Sequence, residues 1–183
     1  MMGEKFNIFC LNTRGLGDKR KRKAVLSWLQ EKCSGITLLQ ETHSALTTEN
    51  DWRENWKGII EFSHGSTNAK GVAVLLSSGL DIEISNVKKD TDGRFLLLDC
   101  IISEHSYVII NVYAPTVDKR NDQVTFGNFI LDMLQDYSGR NIILGGDFNL
   151  DFDMTNNSHK SCKNPGYLRQ LLYIFDTFDL VDI

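Results

Sequence analysis

Two polar residues that can bind a metal ion or a phosphate follow an apolar stretch late in the chain. Residues 141–144 are mostly apolar and β-favouring, and Gly145 and Gly146 after them let the backbone turn sharply. Asp147 and Asn149 come next, two residues apart, so that a carboxylate and an amide can face one phosphate. Taken alone, this stretch favours an ordinary strand-end turn in which both side chains bond to the local backbone.

The same arrangement recurs where three other predicted strands end, at Asn12, Glu41 and Tyr113. Glu41 equally suits the cap of a following segment, and Tyr113 equally suits half-buried packing. In layered α/β proteins, however, functional groups gather where strand ends share an edge. An acidic pair with two amides and a phenol suits a hard cation such as Mg²⁺. A nucleophilic triad fits poorly, because no serine or cysteine lies in an elbow-like setting with a histidine partner.

The apolar patterns predict eight strands and four helices that would position these residues. The predicted strands cover 5–11, 35–39, 59–63, 71–77, 81–88, 94–102, 106–113 and 141–144, and the predicted helices cover 18–32, 48–57, 119–137 and 164–175. The first strand alternates little, which indicates that it is covered on both faces. The strands between 59 and 113 favour an antiparallel meander. A further extended run is expected at 180–183.

The helix expected after Asp18 carries an unusual run of five basic residues, 19–23, at its N-terminus, where the helix dipole disfavours cations. A solvated helix face is the favoured interpretation, and contact with phosphate is the alternative. The apolar stripe of this helix is expected to consist of Ala24, Val25, Trp28 and Leu29.

Composition predicts one globular domain spanning residues 1–183. The chain has 183 residues, 42% of them hydrophobic, and a net charge of −4, which argues against a binder that relies on bulk positive charge. The four cysteines show no C-x-x-C pair and are expected to be buried free thiols in a reducing compartment. No signal peptide or membrane-spanning stretch is recognisable. We therefore expect an intracellular protein of the nucleus or cytoplasm that is not secreted and has no membrane partner.

Four ordered motifs resemble those of the exonuclease-endonuclease-phosphatase superfamily. They are LNTRGL at 11–16, LQETH at 39–43, NVYAP at 111–115 and GGDFN at 145–149. Three further stretches, at 56–58, 62–68 and 71–75, resemble the endonuclease domain of LINE-type (non-LTR) retrotransposons in particular. His43 stands where apurinic-site repair enzymes usually carry a lysine.

The resemblance implies an α+β fold, a four-layer α/β/β/α sandwich of the DNase I-like kind, that cuts DNA phosphodiester bonds with Mg²⁺ or Mn²⁺. Glu41 would hold the metal, with Asn12 close to the metal and to the scissile phosphate. Asp147 would orient or deprotonate the attacking water, Asn149 would bond the phosphate, and Tyr113 would contact the charge that develops in the transition state. In a full-length element such a domain nicks target DNA and precedes a reverse transcriptase domain.

The sequence departs from the family pattern in two places. Thr116 replaces an asparagine that usually follows the tyrosine motif. The family's last strands, which carry a Ser-Asp-His segment, have no counterpart before Ile183, so we expect a C-terminally truncated domain with absent or impaired activity. The histidines present are predicted to be turn or surface residues at 43, 64 and 105, with His159 in a polar loop.

The sequence leaves two alternatives to a DNA endonuclease. One is a phosphatase of the same superfamily that acts on a small phosphorylated substrate. The other is a non-catalytic, degenerate transposon fragment that binds nucleic acid weakly at most.

Overall fold

A computed structural model describes residues 5–66, 69–150 and 163–183. The chain divides into two compact units, each described by itself. The first comprises Met1–Tyr113 with Asn141–Asp147, and the second comprises Ala114–Arg140 with Phe148–Ile183. The prediction of a single domain over residues 1–183 stays a prediction. The polar loop at 151–162, His159 within it, and the turn residues 67 and 68 lie outside the described residues.

The first unit contains ten of the described elements. They are β1 (Asn7–Asn12), α1 (Lys19–Lys32), β2 (Gly35–Gln40), α2 (Glu49–Arg53), β3 (Ile59–Ser63), β4 (Val72–Leu76), β5 (Ile82–Lys89), β6 (Phe95–Ile102), β7 (His105–Tyr113) and β8 (Asn141–Asp147). The strand and helix predictions agree with these bounds to within a few residues, although α2 is shorter than predicted. Asp18 caps α1 as predicted, because its side chain accepts a hydrogen bond from the Lys21 amide.

Within the described residues, the strands form two mixed four-stranded sheets, which confirms the predicted α+β class. The first sheet has the order β1-β2-β4-β3 and the second has the order β5-β6-β7-β8. The pairs β1–β2 and β7–β8 are parallel, and the remaining neighbours are antiparallel. The predicted meander from 59 to 113 is therefore wrong as a whole. It holds for β5 to β7, whereas β3 and β4 pair in the other sheet.

Apolar side chains fill both faces of the first sheet. One cluster joins residues of β2 and β4, such as Leu38 and Val74, to residues of β6 and β7, such as Leu98 and Ile109. The two sheets therefore pack face to face. The opposite face of the first sheet is covered by Leu26 and Leu29 of α1 and by Trp52 and Trp56 of the α2 region, all of them buried.

Two predictions about the first unit are wrong because β1 is an edge strand of its sheet among the described residues. β1 is not covered on both faces: Ile8 is 39% exposed and Cys10 is exposed rather than a buried thiol. The apolar stripe of α1 is also displaced, because Leu26 and Leu29 are buried whereas Trp28 is 48% exposed and contacts Phe9 of β1 edge to face.

The second unit contains two helices, α3 (Arg120–Gln135) and α4 (Pro165–Thr177). Asn164 joins them, because its side chain caps α4 and also donates to the carbonyl of Arg120 and to Gln123. Gly127 lets α4 approach α3 closely, since a Cβ there would lie 2.6 Å from Gln170 Oε1. The extended run predicted at 180–183 is irregular backbone.

None of the helices within the described ranges is long and apolar enough to cross a membrane.

Gly146 should tolerate no side chain. Its φ is +143°, and a Cβ there would lie 2.1 Å from the Val112 carbonyl oxygen of the paired strand. We expect Gly146→Ala to lower the free energy of unfolding by about 1–3 kcal/mol. Gly79→Ala is the matched control, because a Cβ at Gly79 meets nothing within 4 Å. Urea unfolding of both variants measures the difference, and equal stabilities would contradict the close approach of β7 and β8.

Candidate active site

Strand pairing in the first unit brings four polar strand-end residues together. β1 and β2 run parallel with Asn12 opposite Gln40, so Asn12 and Glu41 leave the first sheet at the same edge. β7 and β8 run parallel with Tyr113 opposite Asp147, so these two residues leave the second sheet side by side. We refer to Asn12, Glu41, Tyr113 and Asp147 as the strand-end cluster.

Hydrogen bonds connect all four members of the strand-end cluster. The Nδ2 amide of Asn12 donates to Glu41 Oε1 at 2.9 Å and to Asp147 Oδ2 at 2.7 Å. The phenol of Tyr113 donates to the same Glu41 oxygen at 3.0 Å. All four residues are half-buried. The four side chains therefore hold one another in place by hydrogen bonds and remain partly accessible to solvent.

Glu41 is held in the cluster by an unusual backbone conformation. Its φ is +51°, a left-handed value that disfavours most side chains. The hydroxyl of Thr13 donates to the carbonyls of Gln40 and Glu41, at 2.9 Å in each case. The amide of Thr42 donates to the carbonyl of Gly71 at 2.9 Å. These bonds satisfy the backbone on both sides of the turn and fix the direction in which the Glu41 carboxylate points.

A buried amide pair lies directly behind the cluster. Asn111, two residues before Tyr113, is fully buried, and it donates to the carbonyls of Leu39 and Ala73 at 2.9 and 2.8 Å. Its oxygen accepts a hydrogen bond of 2.7 Å from Gln40, the residue before Glu41. Sequence reasoning missed this pair, although an asparagine within the apolar run 106–113 was a visible signal. The pair links the two sheets next to the contact between Glu41 and Tyr113.

The surroundings of Tyr113 keep its phenol protonated. Burial, followed by the hydrogen bond to Glu41 and the charge of Glu41, raises the pKa of Tyr113 to about 12. The guanidinium of Arg94 opposes this shift in part: it lies 5.2 Å from the centre of the Tyr113 ring and donates to the Tyr113 carbonyl at 3.0 Å. Tyr113 is therefore a hydrogen-bond donor at neutral pH. After the amide pair, Arg94 is another residue near the strand-end cluster that sequence reasoning did not identify.

Asn149, the fifth predicted site residue, belongs to the second unit. Its side-chain amide donates to the carbonyl of Ala114 at 2.8 Å, and its own carbonyl accepts from Gln123 at 3.0 Å. Its predicted place at a phosphate beside Asp147 stays a prediction.

The side chain of Asn12 uses both of its polar atoms in hydrogen bonds, and its predicted place at the metal stays a prediction. Its Oδ1 accepts a hydrogen bond of 3.0 Å from the amide of Arg14, and its Nδ2 faces both carboxylates. Asn12 therefore acts as a donor that bridges Glu41 and Asp147. The second oxygen of Glu41, Oε2, accepts no hydrogen bond from any described residue. It is the group of the cluster best placed to bind a cation.

The histidines that the structure describes lie in different settings. The ring of His43 packs beside Gly15, since a Cβ at Gly15 would lie 2.8 Å from its Nδ1. His64 is half-buried rather than a surface residue, because its ring nitrogens lie 2.9 Å from Ser44 Oγ and 2.8 Å from Glu49 Oε1. Ser44 is only 1% exposed, so this Glu–His–Ser chain supports a turn and does not present a nucleophile. His105 lies on the surface as predicted.

Comparison with known sequences finds one protein family and one transposon relative. Residues 6–169 match the profile of the Endonuclease/Exonuclease/phosphatase family. The 149 kDa protein of transposon TX1 from Xenopus laevis is 31% identical to this chain over 176 residues. This similarity covers 95% of the chain but 13% of the transposon protein, so the chain spans a small part of that relative's length.

Comparison with solved structures shows the fold. An AP endonuclease from Archaeoglobus fulgidus has a TM-score of 0.70 and 20% identity, covering 94% of this chain and 70% of its own. A mannosyl-6-phosphatase from Bacteroides thetaiotaomicron has a TM-score of 0.62 and 15% identity, covering 85% and 69%. Truncated TDP2 from Caenorhabditis elegans has a TM-score of 0.60 and 21% identity, covering 80% and 63%. The DNase I-like fold expected from the sequence is confirmed.

Tyr113 should ionise later than an ordinary tyrosine, near pH 12. Because its pKa is raised in the folded state, its neutral phenol stabilises the fold below about pH 10, the ordinary tyrosine value, and this contribution is lost as the pH rises towards 12. The phenolate absorbance of the wild type minus that of Tyr113→Phe measures the titration. Glu41→Gln should move the midpoint towards 10, and a midpoint near 10 in the unaltered chain would contradict the bond to Glu41.

Asn111→Ala should destabilise the first unit strongly. The substitution leaves the buried carbonyls of Leu39 and Ala73 and the amide of Gln40 without their partner. We expect a loss of at least about 2 kcal/mol in the free energy of unfolding, measured with urea. Asn86→Ala in β5 is the control, because Asn86 is exposed and should change stability little. Equal effects of the two substitutions would show that the amide pair is not a structural bridge.

Proposed function

Because the chain belongs to the Endonuclease/Exonuclease/phosphatase family, we propose that the strand-end cluster hydrolyses phosphodiester bonds of DNA with the help of Mg²⁺ or Mn²⁺. One observation carries this proposal. Two carboxylates, an amide and a phenol converge from four strand ends of two sheets and are joined by hydrogen bonds of 2.7–3.0 Å. Such a group of oxygen donors and acceptors suits a phosphate with its divalent cation.

The residues present fit a magnesium or manganese ion. Mg²⁺ is usually bound by one or two carboxylates, and water and substrate phosphates complete its coordination. Glu41 and Asp147 supply two carboxylates, and the described residues hold no group of three or more His, Cys, Asp or Glu side chains that could bind a metal together. Glu41 Oε2 would hold the ion, and Asn12 would lie close to it as the bridge to Asp147. When bound, the ion would neutralise negative charge on the phosphate.

Each member of the cluster then has a distinct task. Asp147 orients the attacking water and accepts its proton. Asn12 keeps the carboxylates of Glu41 and Asp147 adjacent despite their like charge. Tyr113, protonated at neutral pH, turns its hydroxyl towards the oxygen on which charge develops. Asn149 is the residue that the sequence motif assigns to the phosphate.

DNA is the substrate that the comparisons favour. The relative at 31% identity is a transposon protein, and an AP endonuclease shares the fold at a TM-score of 0.70. Because the net charge is −4, DNA must be held by the metal and by local basic groups such as Arg94, next to Tyr113, rather than by bulk charge. We further propose that the chain acts as the nicking domain of a retrotransposon protein that also carries a reverse transcriptase.

Glu41→Gln and Asp147→Asn should each weaken Mn²⁺ binding by about 10–100-fold, because each removes a negative charge at or beside the ion without changing side-chain shape. Electron paramagnetic resonance of free Mn²⁺ measures the affinity. Whatever nicking of supercoiled plasmid DNA the chain performs with Mg²⁺ should fall by at least a similar factor. Asp132→Asn is the charge-matched control, because Asp132 is an exposed residue of α3 and should change neither value.

The outcomes separate the rival functions. Turnover of phosphomonoesters with no nicking would favour the phosphatase, whose fold is shared by the mannosyl-6-phosphatase at a TM-score of 0.62. Salt-dependent DNA binding without turnover would favour the non-catalytic fragment. Unchanged Mn²⁺ affinity in both carboxylate variants would reject the metal site itself.

A further inference from the structure

Lys21 makes an unusually complete set of contacts for an exposed lysine. Its Nζ lies 2.8 Å from the carbonyl oxygen of Thr13, 3.1 Å from that of Arg14 and 2.8 Å from that of Gly15. An ammonium has three N–H donors, so each donor has its own acceptor. Three successive carbonyl groups thus converge on one cation at the start of α1.

The loop that supplies these carbonyls needs such a cation. Arg14 and Gly15 are consecutive residues with φ of +49° and +84°, a left-handed conformation that is costly for arginine. The aligned dipoles of the carbonyl groups repel one another unless a positive charge lies between them. The amides of Gly15 and Leu16 bond to the turn after β2, which holds the N–H side of the loop. Lys21 binds the carbonyl groups on the other side of the loop.

The loop in turn fixes the orientation of Asn12. The amide of Arg14 donates to Asn12 Oδ1 at 3.0 Å, and this N–H lies in the same planar peptide unit as the Thr13 carbonyl that Lys21 holds. With Oδ1 bound in this way, Nδ2 must face Glu41 and Asp147. If the carboxamide rotated by half a turn, its oxygen would face two carboxylates and repel them.

The neighbouring basic residues do not share this arrangement. Lys19 and Arg22 bond to Asp51, and Arg22 is 2% exposed, so the run 19–23 is only in part the solvated face predicted from the sequence. Arg20 and Lys23 are exposed and have no hydrogen bond or ion pair with any described residue. The position of Lys21, rather than the charge of the whole run, determines the contact with the loop.

We propose that Lys21 is a positioning residue whose ammonium occupies a three-carbonyl cation site and thereby keeps Asn12 in its bridging orientation, a role that rests on the proposed function of the strand-end cluster. Lys21 touches neither the substrate nor the carboxylates. It acts through the backbone of residues 13–15 on the one side chain that joins Glu41 to Asp147.

Chemical rescue of Lys21→Ala tests this role without metal, DNA or turnover. The substitution should shift and broaden the ¹⁵N–¹H₂ resonances of the Asn12 side chain in NMR spectra of the full chain. Propylammonium, which replaces the missing part of the side chain, should restore them. Tetramethylammonium at the same concentration should not, because it has the charge but no N–H donor. Lys23→Ala is the matched control on the same helix and should leave the Asn12 resonances unchanged.

A second measurement connects Lys21 to the metal. Lys21→Ala should weaken Mn²⁺ binding by about tenfold, as loss of an outer partner of a metal site does, and propylammonium should reverse the loss. If Lys21→Ala does not fold, Lys21→Met, which keeps most of the alkyl chain but has no ammonium and leaves no room for propylammonium, takes its place in both measurements without the rescue. Unchanged Asn12 resonances in a folded variant, or equal rescue by propylammonium and tetramethylammonium, would overturn the proposal. Restored Asn12 resonances without any Mn²⁺ binding would uphold the role of Lys21 and reject the metal site alone.

Discussion

The amide nitrogen of Asn12 between two carboxylates is the contact on which the organisation of the site depends. Glu41 and Asp147 both approach this nitrogen to within hydrogen-bonding distance, at 2.9 and 2.7 Å. Two half-buried carboxylates this close repel each other. The Asn12 amide and the Tyr113 phenol offset part of that repulsion, and a divalent cation would offset the rest. The fold therefore holds an excess of negative charge that favours a cation.

The two parallel strand pairs make this contact possible. Parallel neighbours end at the same edge of a sheet, so Asn12 at the end of β1 lies beside Glu41, which follows β2, and Tyr113 at the end of β7 lies beside Asp147 at the end of β8. Face-to-face packing of the sheets within the first unit then brings the two pairs together. The amide bridge between Asn111 and Gln40 lies one step further inside, where a shift of one sheet against the other would separate Glu41 from Tyr113.

The sequence predicted more about the site than about the sheets. Polar residues that follow apolar runs are a local signal, so the recurrence of Asn12, Glu41, Tyr113 and Asp147 at strand ends could be seen in the sequence, whereas the catalytic roles that the family resemblance implies for them stay predictions. The division of β3 to β7 between two sheets was not, because strand pairing depends on contacts between distant segments that leave no local pattern. The exposure of β1 escaped prediction for the same reason, since an edge strand and a central strand can share an apolar composition.

The basic run at the start of α1 illustrates what sequence patterns leave out. By charge alone, cations at a helix N-terminus are unfavourable, and a solvated face was the reasonable interpretation. In the structure, Lys21 reaches back to the carbonyls of the preceding loop, where its charge is favourable. Arg14 and Glu41, which both bond to the Asn12 side chain, have left-handed backbone conformations that each cost about 1–3 kcal/mol. Such strain persists only where surrounding bonds determine the conformation. Lys21 supplies those bonds at Arg14, and Thr13 supplies them at Glu41. The strained backbone is thereby connected to the side chains that hold the carboxylate pair.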